Sequence, residues 1–127
     1  MKSRRRGFTL IELLIVVTVL GLLAAIAIPR FTTVKAKANV ATMQTALKNL
    51  GQAEETFFSE HGVYTADLDS LNFRPSNELT LTVLEATNTG WSATITHPTA
   101  LPRKCAFYLG SATPVSPATN QGSLACE

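Results

Sequence analysis

The hydrophobic pattern near the start of the chain is an unbroken apolar run. Residues 8–28 contain a single charged side chain, Glu12, and four basic residues precede the run: Lys2, Arg4, Arg5 and Arg6. The run is close to the roughly 20 residues that a helix needs to span a bilayer. Basic residues beside such a run are typical of its cytoplasmic flank. The pattern therefore predicts a membrane-spanning helix over residues 8–29.

Beyond Pro29 the pattern changes to a single apolar stripe on an otherwise polar segment. The stripe repeats at spacings of three, four and seven residues, and it consists of Val40, Met43, Leu47, Leu50 and Phe57, with Phe58 beside it. Such spacings are typical of an amphipathic helix packed against other structure. We expect the helix to continue to about residue 60, where His61 and Gly62 supply a C-terminal stop signal.

Three short segments after the helix alternate apolar and polar residues, as half-buried strands do. They cover residues 79–84, 91–96 and 104–109, with a turn at residues 87–90 and a longer connection at residues 98–102. This order predicts an antiparallel meander packed on the helix stripe. We expect Trp91 to be a core or edge residue of that sheet. The predicted fold class is α+β.

Glu12 is the residue of the apolar run that needs an explanation. A carboxylate inside a membrane segment costs roughly 2.5–3.5 kcal/mol on insertion scales, so such residues usually have a partner or a task. A secretory signal peptide, with a cleavage site at residues 25–27, is one interpretation of this segment. A plain membrane anchor is a second, in which the Glu12 carboxylate reaches to the lipid headgroups. Neither gives Glu12 a function.

The segment Gly7-Phe8-Thr9-Leu10-Ile11-Glu12 resembles the type III signal of type IV pilins and of the pseudopilins of type II secretion. The resemblance implies cleavage between Gly7 and Phe8 by a prepilin peptidase, N-methylation of Phe8, and a helix held in the inner membrane until assembly. It also implies a division into a leader at residues 1–7, a transmembrane and filament-core helix at residues 8–29, and a globular head at residues 30–127.

The family resemblance gives Glu12 a partner, the Phe8 amine of the next subunit in a filament. After cleavage both groups would be charged in apolar surroundings, where each is costly alone and the two compensate each other. A pair within one helix is the alternative. Gly21 and Pro29 both weaken helical structure. In related filaments the stretch between them becomes extended on assembly, and a simple kink is the alternative here.

Charge and composition exclude several classes of function. The formal charge of +2 includes four leader residues, and without them seven basic side chains face nine acidic ones, 7 − 9 = −2. This balance gives no support for a broad nucleic-acid-binding face, although Arg103 and Lys104 could form a local basic spot. Asp67 and Asp69 are too sparse for a recognisable calcium loop. A solvated turn is the preferred interpretation of this pair.

The two cysteines, Cys105 and Cys126, are an even count, which in an exported chain indicates a disulfide. A zinc site using His61 and His97 is the rival, but these four residues lack paired metal-ligand spacing. The bridge resembles the C-terminal disulfide loop of type IV pilins. It would hold the polar tail at residues 110–122, which we expect to be solvent-facing. No metal and no cofactor are expected.

The sequence contains no catalytic constellation, so we expect a structural protein and not an enzyme. The favoured function is that of a type IV pilus subunit, located in the inner membrane and then in an extracellular filament on a bacterial surface. Its expected partners are identical or related pilin subunits, the prepilin peptidase, the pilus assembly machinery and the membrane. A pseudopilin of type II secretion and a membrane-anchored binding protein are the alternatives.

Overall fold

The computed structural model describes residues 7–127, which form two units, residues 7–34 and residues 35–127. Within the described residues there is one helix and one sheet. The elements are α1 (Leu10–His61), β1 (Thr80–Ala86), β2 (Gly90–Thr96), β3 (Lys104–Gly110) and β4 (Ala125–Cys126). The predicted helix is therefore confirmed, beginning and ending within two residues of the expected positions. Apart from Gly7, the predicted leader lies outside the described residues.

The first unit consists of the apolar beginning of α1. Its side chains are exposed in the single chain, and its most apolar window has a mean hydropathy of 2.8 with no residue buried. By length and composition this stretch can cross a membrane. Pro29 lies inside the helix, and its carbonyl oxygen accepts hydrogen bonds from the hydroxyls of Thr32 (2.9 Å) and Thr33 (3.1 Å).

In the second unit the predicted stripe of α1 is the helix side of the core. Met43, Leu47 and Leu50 are fully buried, and they cluster with Trp91 and Ile95 of β2. Val40 and Phe57 of the stripe are half-buried against the same cluster. Burial of three large side chains contributes several kcal/mol, at about 1.5–3 kcal/mol each. The stripe therefore fixes the face of α1 that carries the sheet.

The helix ends where the sequence indicates. Gly62 follows the last helical residue, His61, with a positive φ of 72°. In that conformation its N–H donates to the carbonyl of Phe58 at 2.7 Å. Glycine adopts positive φ without the steric cost that a Cβ brings, so the helix stops here and the chain turns away.

The sheet has the order β1-β2-β3-β4, with every neighbouring pair antiparallel among the described residues. The register is shown by Ala93 of β2, which pairs with Val83 on one side and Phe107 on the other. The predicted three-strand meander is confirmed, and Trp91 is a core residue, one of the two positions expected for it. A bulge between Val83 and Glu85 interrupts the pairing of the edge strand β1.

The second face of the sheet is covered by the polar tail. Side chains alternate along β3, so Ala106 and Tyr108 point away from the helix and form a second cluster with Ala112 and Ala118 of the tail. These two alanines are only 3% and 2% exposed. The expectation of a solvent-facing tail is therefore wrong at these positions. The small methyl groups pack against the sheet, while the neighbouring polar side chains stay in solvent.

The predicted disulfide is confirmed between Cys105 of β3 and Cys126 of β4, with the two Cα atoms 4.0 Å apart. The bridged residues are also directly opposite in the ladder, and Ala106 pairs with Ala125 beside them. Backbone hydrogen bonds in both directions then join Lys104 to Glu127. The bridge and this short ladder hold the returning tail on the last long strand.

Candidate functional site

The carboxylate of Glu12 is bonded to the first residues of its own helix. Its Oε2 accepts hydrogen bonds from the backbone N–H and the hydroxyl of Thr9, both at 2.9 Å. In return the Glu12 N–H donates to Oγ1 of Thr9 at 3.3 Å. This reciprocal arrangement is a capping box, in which the N-cap residue and the residue three positions later satisfy free backbone donors.

The capping box gives Glu12 a role within a single chain that the sequence analysis missed. The signal was present as Thr9-x-x-Glu12 directly before an apolar run. Phe8 lies just outside the helix and is 79% exposed. In the uncleaved chain the Phe8 nitrogen is an uncharged amide, so the carboxylate takes its hydrogen bonds from Thr9.

Gly21 and Pro29 both lie within the continuous helix α1. A Cβ placed on Gly21 would have open space around it in the single chain. Pro29 has no N–H to donate to the carbonyl one turn earlier, so one helical hydrogen bond is missing at this point. The structure therefore describes the segment between them in its helical form.

A second carboxylate, Glu54, lies on the buried side of α1, between Leu50 and Phe57 of the stripe. Its Oε2 accepts a hydrogen bond from the Thr65 N–H at 3.1 Å, and Oε1 has no hydrogen-bond partner within residues 7–127. Burial raises the pKa of Glu54, and the Thr65 hydrogen bond opposes that rise. An acidic residue on the apolar stripe was the sequence signal for this site.

The segment after the helix is held by further carboxylates. The Tyr64 hydroxyl donates to Oε1 of Glu55 at 3.0 Å. Partial burial is the larger cause that raises the pKa of Tyr64, and this hydrogen bond is the second cause. Asp67 accepts from the Ser70 hydroxyl at 2.6 Å and from the Asp69 N–H at 3.2 Å. These bonds lower the pKa of Asp67. Asp67 therefore serves the turn, as the preferred interpretation expects.

The four residues of the rival zinc site are not brought together as ligands. Cys105 and Cys126 are consumed in the disulfide. His97 is nearly buried, with Nε2 3.1 Å from Oε2 of Glu78. The other ring nitrogen, Nδ1, lies 3.2 Å from the Thr99 N–H, which can only donate, so Nδ1 is the acceptor. Nε2 is therefore the protonated ring nitrogen, and its N–H donates a hydrogen bond to Oε2 of Glu78.

Comparison with known proteins gives matches that include this N-terminal region. Residues 2–28 match the family described as "Prokaryotic N-terminal methylation motif". Over 72 residues the chain is 47% identical to the type IV major pilin protein PilA of Myxococcus xanthus, which covers 57% of this chain and 33% of that protein. It is 32% identical over 79 residues to the type IV major pilin protein PilE of Neisseria gonorrhoeae. Those residues are 62% of this chain and 47% of that protein.

A third relative is the type IV major fimbrial protein FimA of Dichelobacter nodosus, 46% identical over 56 residues, which are 44% of this chain and 36% of that one. The chain thus spans between about a third and about half of the length of these curated relatives.

The fold and the motif together define a class of protein. Its members have an apolar helix headed by an N-terminal methylation motif and a small antiparallel sheet packed on the later part of that helix. Within this class, the chain is similar to type IV major pilins and to a type IV major fimbrial protein over part of its length.

Proposed function

We propose that this chain is the structural subunit of a type IV pilus, which polymerises through its apolar helix. The observation that carries the proposal is Glu12, a single carboxylate at the head of an otherwise uncharged and exposed apolar helix. The similar proteins are type IV major pilins and a type IV major fimbrial protein, which supports a pilus over the alternative of a type II secretion pseudopilus.

In the proposed mechanism a prepilin peptidase cuts between Gly7 and Phe8, and Phe8 is N-methylated. Methylation of an amine keeps its positive charge, as it does on lysine. The Glu12 carboxylate of one subunit then meets the Phe8 ammonium of the next. The apolar helix surfaces supply most of the adhesion, and the charge pair sets axial register, as a buried polar group does in a coiled coil.

The subunit is proposed to occupy two locations in turn. Before assembly the helix at residues 8–29 lies in the inner membrane with the head outside the bilayer. The pilus assembly machinery then moves the subunit into a filament on the bacterial surface. The exposed apolar side chains of the first unit suit both places, because lipid tails and neighbouring helices are equally apolar.

Processing at Phe8 is the direct test of this proposal. The chain would be expressed in a bacterium that has a pilus assembly system and lacks its own major pilin. Sheared filaments should contain this chain as their main protein, and mass spectrometry should find N-methylated Phe8 at its start. A mature chain beginning at Ile28 would support the signal-peptide interpretation and contradict the proposal. Filaments that lack the chain would contradict it equally.

We further propose that the segment between Gly21 and Pro29 becomes extended in the filament. Changing both residues to alanine should favour the helical form, since glycine and proline cost about 1 and 3 kcal/mol in a helix interior. Fibres of the double variant should therefore extend less under load in atomic force microscopy. Gly51→Ala is the matched control in the same helix, because its Cβ would meet Trp91 at an ordinary 3.6 Å. Equal extension of both variants and wild type would refute the proposal.

A further inference from the structure

The head unit has an open groove between α1 and the sheet. It has a cavity volume of ≈ 1030 Å³, and the half-buried side chains of Phe107, Leu109 and Leu124 line it. Lys48 and Glu55 also line it from the helix side. The Glu55 carboxylate is held there by the hydrogen bond from the Tyr64 hydroxyl. The groove, called here the helix–sheet groove, is thus apolar inside with a fixed carboxylate on its helix side.

Charge is unevenly distributed within the head unit. Residues 48–74, the later part of α1 and the loop after it, contain five acidic and two basic side chains. Residues 35–47 contain two lysines and no acid, and residues 98–104 contain Arg103 and Lys104 and no acid. The side chain of Asn39 donates to Oγ1 of Thr99 at 2.9 Å, which places this loop beside the earlier, basic part of the helix. The groove carboxylate belongs to the acidic part.

The loop at residues 98–104 presents an apolar side chain on a fixed backbone. Leu101 is 63% exposed, while Ala100 next to it is fully buried. The carbonyl of Arg103 accepts from the His97 N–H at 3.0 Å, and the Asn39–Thr99 hydrogen bond holds the same loop to the helix. A held loop loses little conformational entropy on binding, so an exposed leucine here is suited to insertion into an apolar site.

We propose that the helix–sheet groove receives Leu101 of a second copy of this chain, with Arg103 of that copy facing Glu55. This inference rests on the proposed function and names the contact between heads in the filament. The occupant follows from charge: Glu55 is the one acidic residue among the described residues that line the groove, and the loop carries two cations and no acid. The groove's own cation, Lys48, lies seven residues earlier, about 10 Å away along the helix, so Arg103 can face Glu55 without facing Lys48. Complementary charge fixes partner and register, and apolar insertion supplies adhesion.

The geometry of this contact agrees with an open polymer. The groove and the loop are different surfaces of one head, so a series of copies in which each loop enters the groove of the next copy is a heterologous arrangement. A heterologous contact that does not close into a ring repeats from copy to copy and generates a filament. A symmetric dimer, in which two copies place their loops in each other's grooves, would instead occupy both grooves and end the series. The contact is therefore compatible with growth of the proposed filament.

Leucine substitutions provide the first test, using the full chain in a piliated host. Leu101→Ser should lower the sheared-filament fraction about tenfold, equivalent to roughly 1.4 kcal/mol per contact. Leu84→Ser is the matched control, since Leu84 is a comparably exposed leucine (54%) at the bulge of β1. Fluorescence of Trp91 reports whether each head is folded. Equal filament yields from the two folded variants would overturn the proposal.

Charge exchange provides the second test and identifies the partners. Arg103→Glu and Glu55→Arg should each lower filament yield about tenfold, because like charges facing across an interface repel. Combining them should restore at least part of the yield, since the pair is re-formed with its signs exchanged. A double variant as poor as the worse single one would overturn the proposal. If the wild type itself forms no filaments, the proposed function fails, whereas normal filaments from every variant refute this contact alone.

Discussion

At the scale of single residues, the chain places two carboxylates in apolar sequence surroundings and treats them differently. Glu12 lies at the start of α1 and takes three hydrogen bonds with Thr9. Glu54 is fully buried beside the core and has a single backbone donor, from Thr65. A capped carboxylate stays charged and available at low cost, while a buried one is costly when charged. Glu12 therefore suits the proposed assembly contact, and Glu54 makes the stability of the head depend on pH.

Removal of the Glu12 carboxylate should prevent assembly and spare insertion. Glu12→Ala removes an intramembrane charge, so insertion should be no worse. In a filament the neighbour's Phe8 ammonium would then be buried without a partner, which typically costs about 3–5 kcal/mol. Filament yield, measured by blotting sheared against membrane fractions, should fall sharply.

Glu12→Gln is the companion variant, because it keeps size and hydrogen-bonding capacity and removes the charge. It should also assemble poorly while remaining cleaved and in the membrane. Normal filament yield from both variants would refute the pairing mechanism. Cleavage of each precursor, seen as a shift in gel mobility, is the control for correct insertion.

Glu54 should make the head less stable as pH rises. Burial raises the pKa of Glu54 above its ordinary value of 4.5, so the folded chain binds more protons than the unfolded chain. The stabilisation of the head by protonated Glu54 is complete when the pH is below the ordinary pKa of 4.5. It is lost as the pH rises through the raised pKa of the folded chain. Denaturant unfolding followed by Trp91 fluorescence should show this decline.

Glu54→Gln should reduce the slope of stability against pH, because the variant side chain does not titrate. Glu60→Gln, an exposed position on the same helix, is the matched control and should keep the wild-type slope. The measurement compares the slopes of stability against pH. The absolute stabilities are not compared, because the glutamine amide at this site adds N–H donors that the carboxylate lacks. An unchanged slope in Glu54→Gln would show that another group is responsible.

At the scale of elements, periodicity explains what the sequence could predict. The stripe from Val40 to Phe57 and the alternation in three strands fixed α1 and the meander, because burial follows those periods. Strand β4 has two residues, too few for any period, and it forms because the disulfide holds it against β3. Ala112 and Ala118 lie among polar tail residues, so only the shape of the sheet surface reveals that they are buried.

The disulfide should stabilise the tail more than the helix. Replacing Cys105 and Cys126 by serine removes a closure of 21 residues, worth about 3 kcal/mol in the chain-entropy model. Amide hydrogen exchange should accelerate first at Gly122, whose N–H donates to the Tyr108 carbonyl at 2.9 Å, and at Glu127. Amides around Leu50 should stay comparatively protected.

Wild-type protein treated with a reductant is the control for this variant, because it loses the same bond without a change of sequence. Both samples should show the same order of exchange. Equal acceleration of exchange at Leu50 and at Gly122 would mean that the head unfolds as one unit and that the bridge does not act locally.

At the scale of the whole molecule, the chain divides into an exposed apolar unit and a head unit with its own core. Residues 7–34 leave their apolar side chains exposed, whereas residues 35–127 have their own core and a closed tail. In the proposed pilus, such a division would allow the first unit to lie in the membrane and in the filament without disturbing the fold of the second. The surface of the head would then be free to provide the proposed contacts between copies.

The capping box at Thr9 has a consequence for the balance of polymer growth. Because Glu12 already has hydrogen bonds in a lone subunit, the proposed pairing with a neighbour's amine would be an exchange of partners and not the relief of an empty acceptor. An exchange leaves only a small net free energy, so the step runs readily in reverse. In the proposed filament, a subunit that returned to the bilayer would regain its Thr9 hydrogen bonds. We therefore expect the first turn of the helix to lower the cost of returning an intact subunit to the membrane.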